Sequence, residues 1–231
     1  MILPEWLMSE PSVKRPAKLH KIVVMDTGFN STKNSRVKLC DTGSADFTHT
    51  GLKDNHGHGS HVANTIADRL LNADKYCFII VKAFDPNTPL YYRNVTSRVE
   101  FEYLDTILEA GDYVNYSAGG GTPGNEEKQH IVSLLNKGVN IFVAAGNGSA
   151  NLDKKCDYYP ACYGLKNLHV VGNLYNFKTK APSSNYGRVV TEWEIGINVV
   201  ADNGTGVKVP MTGTSQATAL ATVREINRNA K

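Results

Sequence analysis

Val23-Val24-Met25-Asp26-Thr27-Gly28 is a hydrophobic run that ends in a carboxylate and a turn glycine. With Lys21 and Ile22 before it, the segment 21–25 is short, rich in β-branched residues and bounded by a turn signal, and it reads as a strand. Five more segments have this character: 78–82, 113–116, 140–145, 168–171 and 197–200. Helical patterns fall between several of them, over 58–71, 96–110 and 126–137, and 215–228 reads as a fourth helix. Such alternation predicts an α/β fold, a mostly parallel central sheet with helices on both faces. Asp26 falls just past the carboxyl end of its strand, and Asn147 does the same after 140–145. Ligand and active sites of open α/β sheets form at those ends.

Bulk properties narrow the class. A chain of 231 residues is most simply one domain with a substantial core. Hydrophobic content of 41% and charged content of 20% fit a globular protein. A net charge of +3, without long like-charge blocks, argues against a nucleic-acid partner. No apolar stretch approaches the roughly 20 residues of a membrane span, so no membrane partner is expected either. The first residues lack a basic leader, and Pro4 and Glu5 interrupt the apolar run, so they do not read as a secretory signal. A cytoplasmic location follows if Met1 is the native start, and a secreted one stays open otherwise. Of four cysteines, Cys40 and Cys77 look unpaired, with Cys77 a small hydrophobe opening a strand. Cys156 and Cys162 bracket five residues and can close a small loop where the compartment is oxidising. Asn-x-Ser/Thr matches at Asn30, Asn94, Asn115, Asn147 and Asn203 carry almost no information.

Two further motifs complete a chemical set. Asp54-Asn55-His56-Gly57-His58-Gly59-Ser60-His61 is a polar, glycine-rich loop running into a helical pattern. In Met211-Thr212-Gly213-Thr214-Ser215-Gln216-Ala217 a serine follows a tight turn and opens a helix. A serine hydroxyl is a weak nucleophile near neutral pH and needs a base, which in turn needs an orienting group. Ser215, His58 and Asp26 can fill these roles, and their chain order of aspartate, histidine, serine is the subtilisin order. The chain resembles the subtilisin-like serine peptidases, the subtilases, over roughly 21–228.

The resemblance implies a serine endopeptidase acting on polypeptides with no cofactor. It gives Asn147, in Val143-Ala144-Ala145-Gly146-Asn147-Gly148, the role of oxyanion donor beside the backbone N–H of Ser215. Ser117, Ala118 and Gly119 would pair with the extended substrate and wall its pocket, with Ala144, Ala145 and Gly146 opposite. The floor would come from 157–164, and Tyr159-Pro160 would be cis. A phosphate-cradling reading of the glycine run 119–121 fails, because no Gly-Lys-Ser/Thr occurs. A metal reading of His56, His58 and His61 lacks a His-Glu-x-x-His pattern and a third ligand, so no metal is expected.

The family pattern also breaks. The short segment 64–75 has no room for the usual calcium loop, Ala219 replaces a customary proline, and Glu194-Ile195-Gly196 replaces Ala-Pro-Gly. Sixteen residues follow Ser215, fewer than the family's usual C-terminal elements need. No pro-domain is recognisable. The expected organisation is an N-terminal extension, 1–20, and a peptidase domain, 21–231. Within the extension Ile2-Leu3-Pro4 is similar to the self-blocking Leu-Ile-Pro segment of intracellular subtilisins, so residues 1–6 are a candidate self-inhibitor, with a structural tail as the rival. The alternative for the whole chain is a catalytically silent subtilase fold used for binding.

Overall fold

The computed structural model describes residues 18–88 and 97–229. Its centre is β1, His20–Asp26, whose last five residues are buried on both faces. That explains the unbroken apolar run, since a central parallel strand has no solvent face. Nine strands follow: β2 (Ala45–Asp46), β3 (Tyr76–Lys82), β4 (Tyr113–Tyr116), β5 (Asn140–Ala144), β6 (His169–Asn176), β7 (Thr179–Lys180), β8 (Glu192–Glu194), β9 (Val199–Asp202) and β10 (Lys208–Met211). The main sheet runs β2-β3-β1-β4-β5-β6-β7, with β8 also on β6. All its pairings are parallel except β6 with β7.

Alternating side chains of the sheet serve two cores. Ile22, Val24, Phe78 and Ile80 face α1 (His58–Ala67) and α4 (Thr214–Asn229), which supply Val62, Ile66, Ala217 and Ile226. Val23, Met25, Ile79 and Val81 face α2 (Arg98–Ile107) and α3 (Asn125–Lys137), through Phe101, Leu104, Ile131 and Leu134. Helices therefore cover both faces, as the alternation predicts. α3 carries Glu126 and Glu127 in its first turn and Lys137 in its last, and stops at Gly138 with φ 86°. Charges of that order complement the helix dipole, and glycine accommodates the left-handed stop.

Two expectations need correction. The apolar segment 197–200 is not a strand of the main sheet; β9 starts at Val199 and pairs antiparallel with β10 in a separate hairpin. Cys40 and Cys77 are not free but form a disulfide, S–S 2.05 Å. The chain before β2 runs parallel beside β3, with Cys40 N–H donating to Phe78 O at 2.9 Å and Phe78 N–H to Lys38 O at 2.8 Å. That alignment sets Cys40 next to Cys77 across 37 residues of sequence, and no local pattern announces it. Cys156 and Cys162 are also bonded, and Tyr159-Pro160 is cis.

Candidate active site

Asp26 ends β1 and is 2% exposed. Its carboxylate meets His58 Nδ1 with Oδ1 at 2.8 Å and Oδ2 at 3.0 Å, and Oδ1 also accepts Thr27 N–H at 2.7 Å. His58 opens α1, and the helix reaches β1 because Gly59 has no side chain. A Cβ on Gly59 would lie 2.4 Å from Gly28 O, a distance no real contact shows. The Asp26 charge holds the His58 imidazolium above its usual range; burial opposes this, and the Asp26 hydrogen bond and the charge of Asp54 add to the rise.

Asp54 was not singled out from sequence, yet it shapes the loop that delivers His58. Its Oδ1 accepts from His56 N, Gly57 N and Thr27 Oγ1 at 3.0, 2.7 and 2.9 Å. Its Oδ2 accepts from Ser60 N and Ser60 Oγ at 2.8 and 2.7 Å. One buried carboxylate thus takes the Ser60 amide in the first turn of α1 and fixes the loop before it, while Gly59 N donates to Thr27 Oγ1 at 2.9 Å, where Gly57 offers no side-chain cap. The sequence signal for Asp54 is an aspartate before a glycine-rich loop, where the carboxylate accepts the amides two and three residues on in an Asx-turn.

Ser215 lies in the first turn of α4 and is 8% exposed. Its Oγ donates to Ser117 O at 2.9 Å, so in this rotamer the hydroxyl is not hydrogen-bonded to His58. In return Ser117 Oγ donates to Ser215 O at 3.1 Å. Behind this exchange stands the fully buried Asn115, on β4. It donates from Nδ2 to Ser117 Oγ at 2.8 Å and accepts at Oδ1 from Thr222 Oγ1 of α4 at 3.1 Å.

Asn147 is exposed at the end of the β5 turn. Its Oδ1 accepts from Thr214 N at 2.9 Å and Thr214 Oγ1 at 3.1 Å, which leaves its Nδ2 as the group with donors to offer. Asn185 braces that turn: its Oδ1 accepts from Gly148 N and Ala150 N at 3.0 and 2.9 Å, and its Nδ2 donates to Ala145 O at 2.8 Å. Ser117–Gly119 follow β4 and Ala144–Gly146 run from the last residue of β5, so neighbouring parallel strands bring the two expected walls side by side.

The rings of His56 and His58 lie edge to face with centroids 6.2 Å apart, and His61 turns away from them. His61 is fully buried, with Nε2 3.0 Å from Val199 O and 3.1 Å from Val209 O, so it ties α1 to the β9–β10 hairpin as a donor. Burial lowers its pKa, in keeping with a neutral ring. Among the described residues no three histidine, cysteine or carboxylate side chains are grouped to hold a metal.

Asp26 and Asn147 at the carboxyl ends of β1 and β5, with His58 and Ser215 opening α1 and α4, stand in a fold of the subtilisin-like class of serine proteinases. The chain belongs to the subtilase family, whose model matches residues 18–223. It is 28% identical over 208 residues to subtilisin BL of Lederbergia lenta, covering 86% of this chain and 71% of that protein. Identity to the alkaline protease of Alkalihalobacillus alcalophilus is also 28%, but the chain spans only 50% of that relative's length. In fold it is similar to a cold adapted subtilisin-like serine proteinase, with a TM-score of 0.71 and 20% identity, covering 92% of this chain and 77% of that one.

Proposed function

We propose that the chain is a serine endopeptidase that cleaves polypeptides through an acyl-enzyme, with Ser215 as nucleophile, His58 as base and Asp26 as its orienter. On this reading Ser215 Oγ exchanges its bond to Ser117 O for one to His58 Nε2. His58 takes the hydroxyl proton as Oγ bonds to the scissile carbonyl carbon. The carbonyl oxygen gains the negative charge, which Asn147 Nδ2 and Ser215 N–H stabilise. The Ser215 N–H lies in the first turn of α4, at the positive end of the helix. His58 then protonates the leaving amine as the C–N bond breaks, and water repeats the sequence on the ester. The Asp26 carboxylate gives positive charge on the imidazole a partner throughout.

The observation that carries this reading is the Asp26–His58 contact at 2.8 and 3.0 Å, beside an Asn147 whose oxygen is already engaged. A fluorophosphonate probe with intact-mass detection tests it. One adduct is expected on the full chain and none on Ser215→Ala; an unlabelled but folded chain would instead favour a silent binding fold.

Three further parts belong to the proposal. The substrate strand runs along Ser117, Ala118 and Gly119, with Ala144, Ala145 and Gly146 across the pocket. Residues 1–20 form an extension to the domain 21–231, with residues 1–6 as a self-inhibitor; 1–17 lie outside the described residues. Two disulfides support an oxidising compartment, the secreted branch of the localisation expected from sequence.

A further inference from the structure

We infer that Tyr158 fills the pocket for the substrate side chain preceding the scissile bond, so that the enzyme cleaves after small residues such as alanine; this rests on the peptidase reading above. The pocket lies between the segments ending in Gly119 and Gly146, and a glycine on each wall gives a direct measure of what stands in the gap. A Cβ added to Gly119 would be 2.6 Å from Tyr158 Cε1 and 2.7 Å from its Cζ. A Cβ added to Gly146 would be 3.1 Å from each of the same two atoms. One edge of a single phenol ring therefore lies against both walls. A leucine or phenylalanine side chain would need the volume that this ring occupies.

The ring is held from its own loop. Cys156–Cys162 closes the loop that carries it, and Cys162 N–H donates to Tyr158 O at 2.9 Å. The next residue is paired to the wall: Gly120 N–H donates to Tyr159 O at 2.9 Å and Tyr159 N–H to Gly120 O at 2.7 Å. Tyr158 has an additional sign of enclosure, since burial pushes its phenol pKa up. Displacing the backbone of Tyr158 would disturb this strand-like pairing. Close-packed sites of this kind resist even small additions of volume.

A cavity of about 700 Å³ adjoins the wall at Gly119 and Gly120. Its described lining includes Phe84, Tyr116 and Tyr159, but none of Ala144, Ala145 and Gly146. It is open to a different part of an extended substrate. Restriction thus falls on the side chain next to the scissile bond.

Two tetrapeptide p-nitroanilides that differ only in the residue before the anilide, alanine or phenylalanine, test the inference on the full chain. The kcat/KM for alanine should exceed that for phenylalanine by about tenfold or more, the scale at which pocket size discriminates. Tyr158→Gly should shift the ratio toward phenylalanine by at least a similar factor. Equal or better cleavage of the phenylalanine peptide by the unaltered chain overturns the inference, as does an unmoved ratio in a folded Tyr158→Gly. If Tyr158→Gly does not melt cooperatively, Tyr158→Ala takes its place, and the unaltered chain still decides by its own ratio. Failure of the underlying reading looks different: neither peptide is cleaved and Ser215 takes no fluorophosphonate, which overturns both.

Discussion

The two arms of the site are held by different kinds of structure. The acid–base arm comes from one stretch of chain: Asp26, Thr27, Asp54, His58 and Gly59 lie between the end of β1 and the first turn of α1, with β2 in between, and the His58–Asp26 contact is already made at 2.8 Å. The serine arm is assembled from distant chain. Ser215 and Ser117 are 98 residues apart, Asn147 belongs to a third segment, and the Ser215 hydroxyl rests on Ser117 O. The first arm is fixed by one turn and a close glycine contact. Its partner depends on β4, β5 and α4 keeping register, and on the proposed mechanism its hydroxyl changes partner before it reacts. Substitutions should therefore separate the arms by what they change.

Removing either reacting side chain breaks the comparison altogether. Ser215→Ala or His58→Ala should lower kcat on the order of 10⁴- to 10⁶-fold, the range known for subtilisin, a relative of this chain. Thermal melting should show both variants folded. Near-full activity in either purified variant would sink the mechanism. Asn147→Ala comes next, with kcat down about 10²- to 10³-fold and KM little changed, again the scale known from subtilisin. On the proposed mechanism its amide meets charge that exists only in the transition state. A raised KM at preserved kcat would make Asn147 a substrate-binding or structural residue instead.

The pH profile sharpens the contrast between arms. On the proposed mechanism His58 must be neutral to take the serine proton, and Asp26 raises its pKa above the ordinary imidazole value of about 6.5. Protonation therefore persists to higher pH, and activity is lost as pH falls through the raised value. The kcat/KM of the unaltered chain should fall about tenfold per pH unit below that point. Asn147→Ala, which touches only the serine arm, should leave the acid limb where it is. An acid limb at or below the ordinary imidazole value would contradict the electrostatic account of the acid–base arm.

The contrast also explains what could be read from the sequence. Asp26, His58, Ser215 and Asn147 stand in motifs whose chemistry is local, and the central strands declare themselves by apolar runs. Short edge strands such as β7 and β8 have too few apolar residues to do so. The supports of the site escaped for a related reason. Asn115 and Asn185 act through partners such as Thr222 and Ala145, which only tertiary packing brings near. Asn115 in particular reads as a sequon in sequence and is a fully buried bridge in the fold. Cys40 and Cys77 show the same limit, because their pairing follows from a parallel alignment rather than from spacing.

The smallest expected effect comes from the N-terminal segment, whose argument rests on sequence because it lies outside the described residues. Met1, Ile2, Leu3 and Pro4 form an apolar stretch, and a proline biases the residue before it toward extended backbone. An extended segment can add to the backbone edge at Ser117 and Gly119 as a substrate does. Proline at the point of cleavage would hinder reaction, since its ring fixes the backbone and removes a donor. Tethering places such a segment at an effective concentration in the millimolar range, roughly, for a flexible link that can span the distance. A peptide seated there competes for the edge beside the serine arm and leaves the Asp26–His58 pair alone. A chain starting at Arg15 should therefore show kcat/KM several-fold higher, with the acid limb of its pH profile and its melting temperature little changed. Should activity stay the same, or fall together with melting temperature, residues 1–20 are a structural strap and the inhibitory reading is wrong.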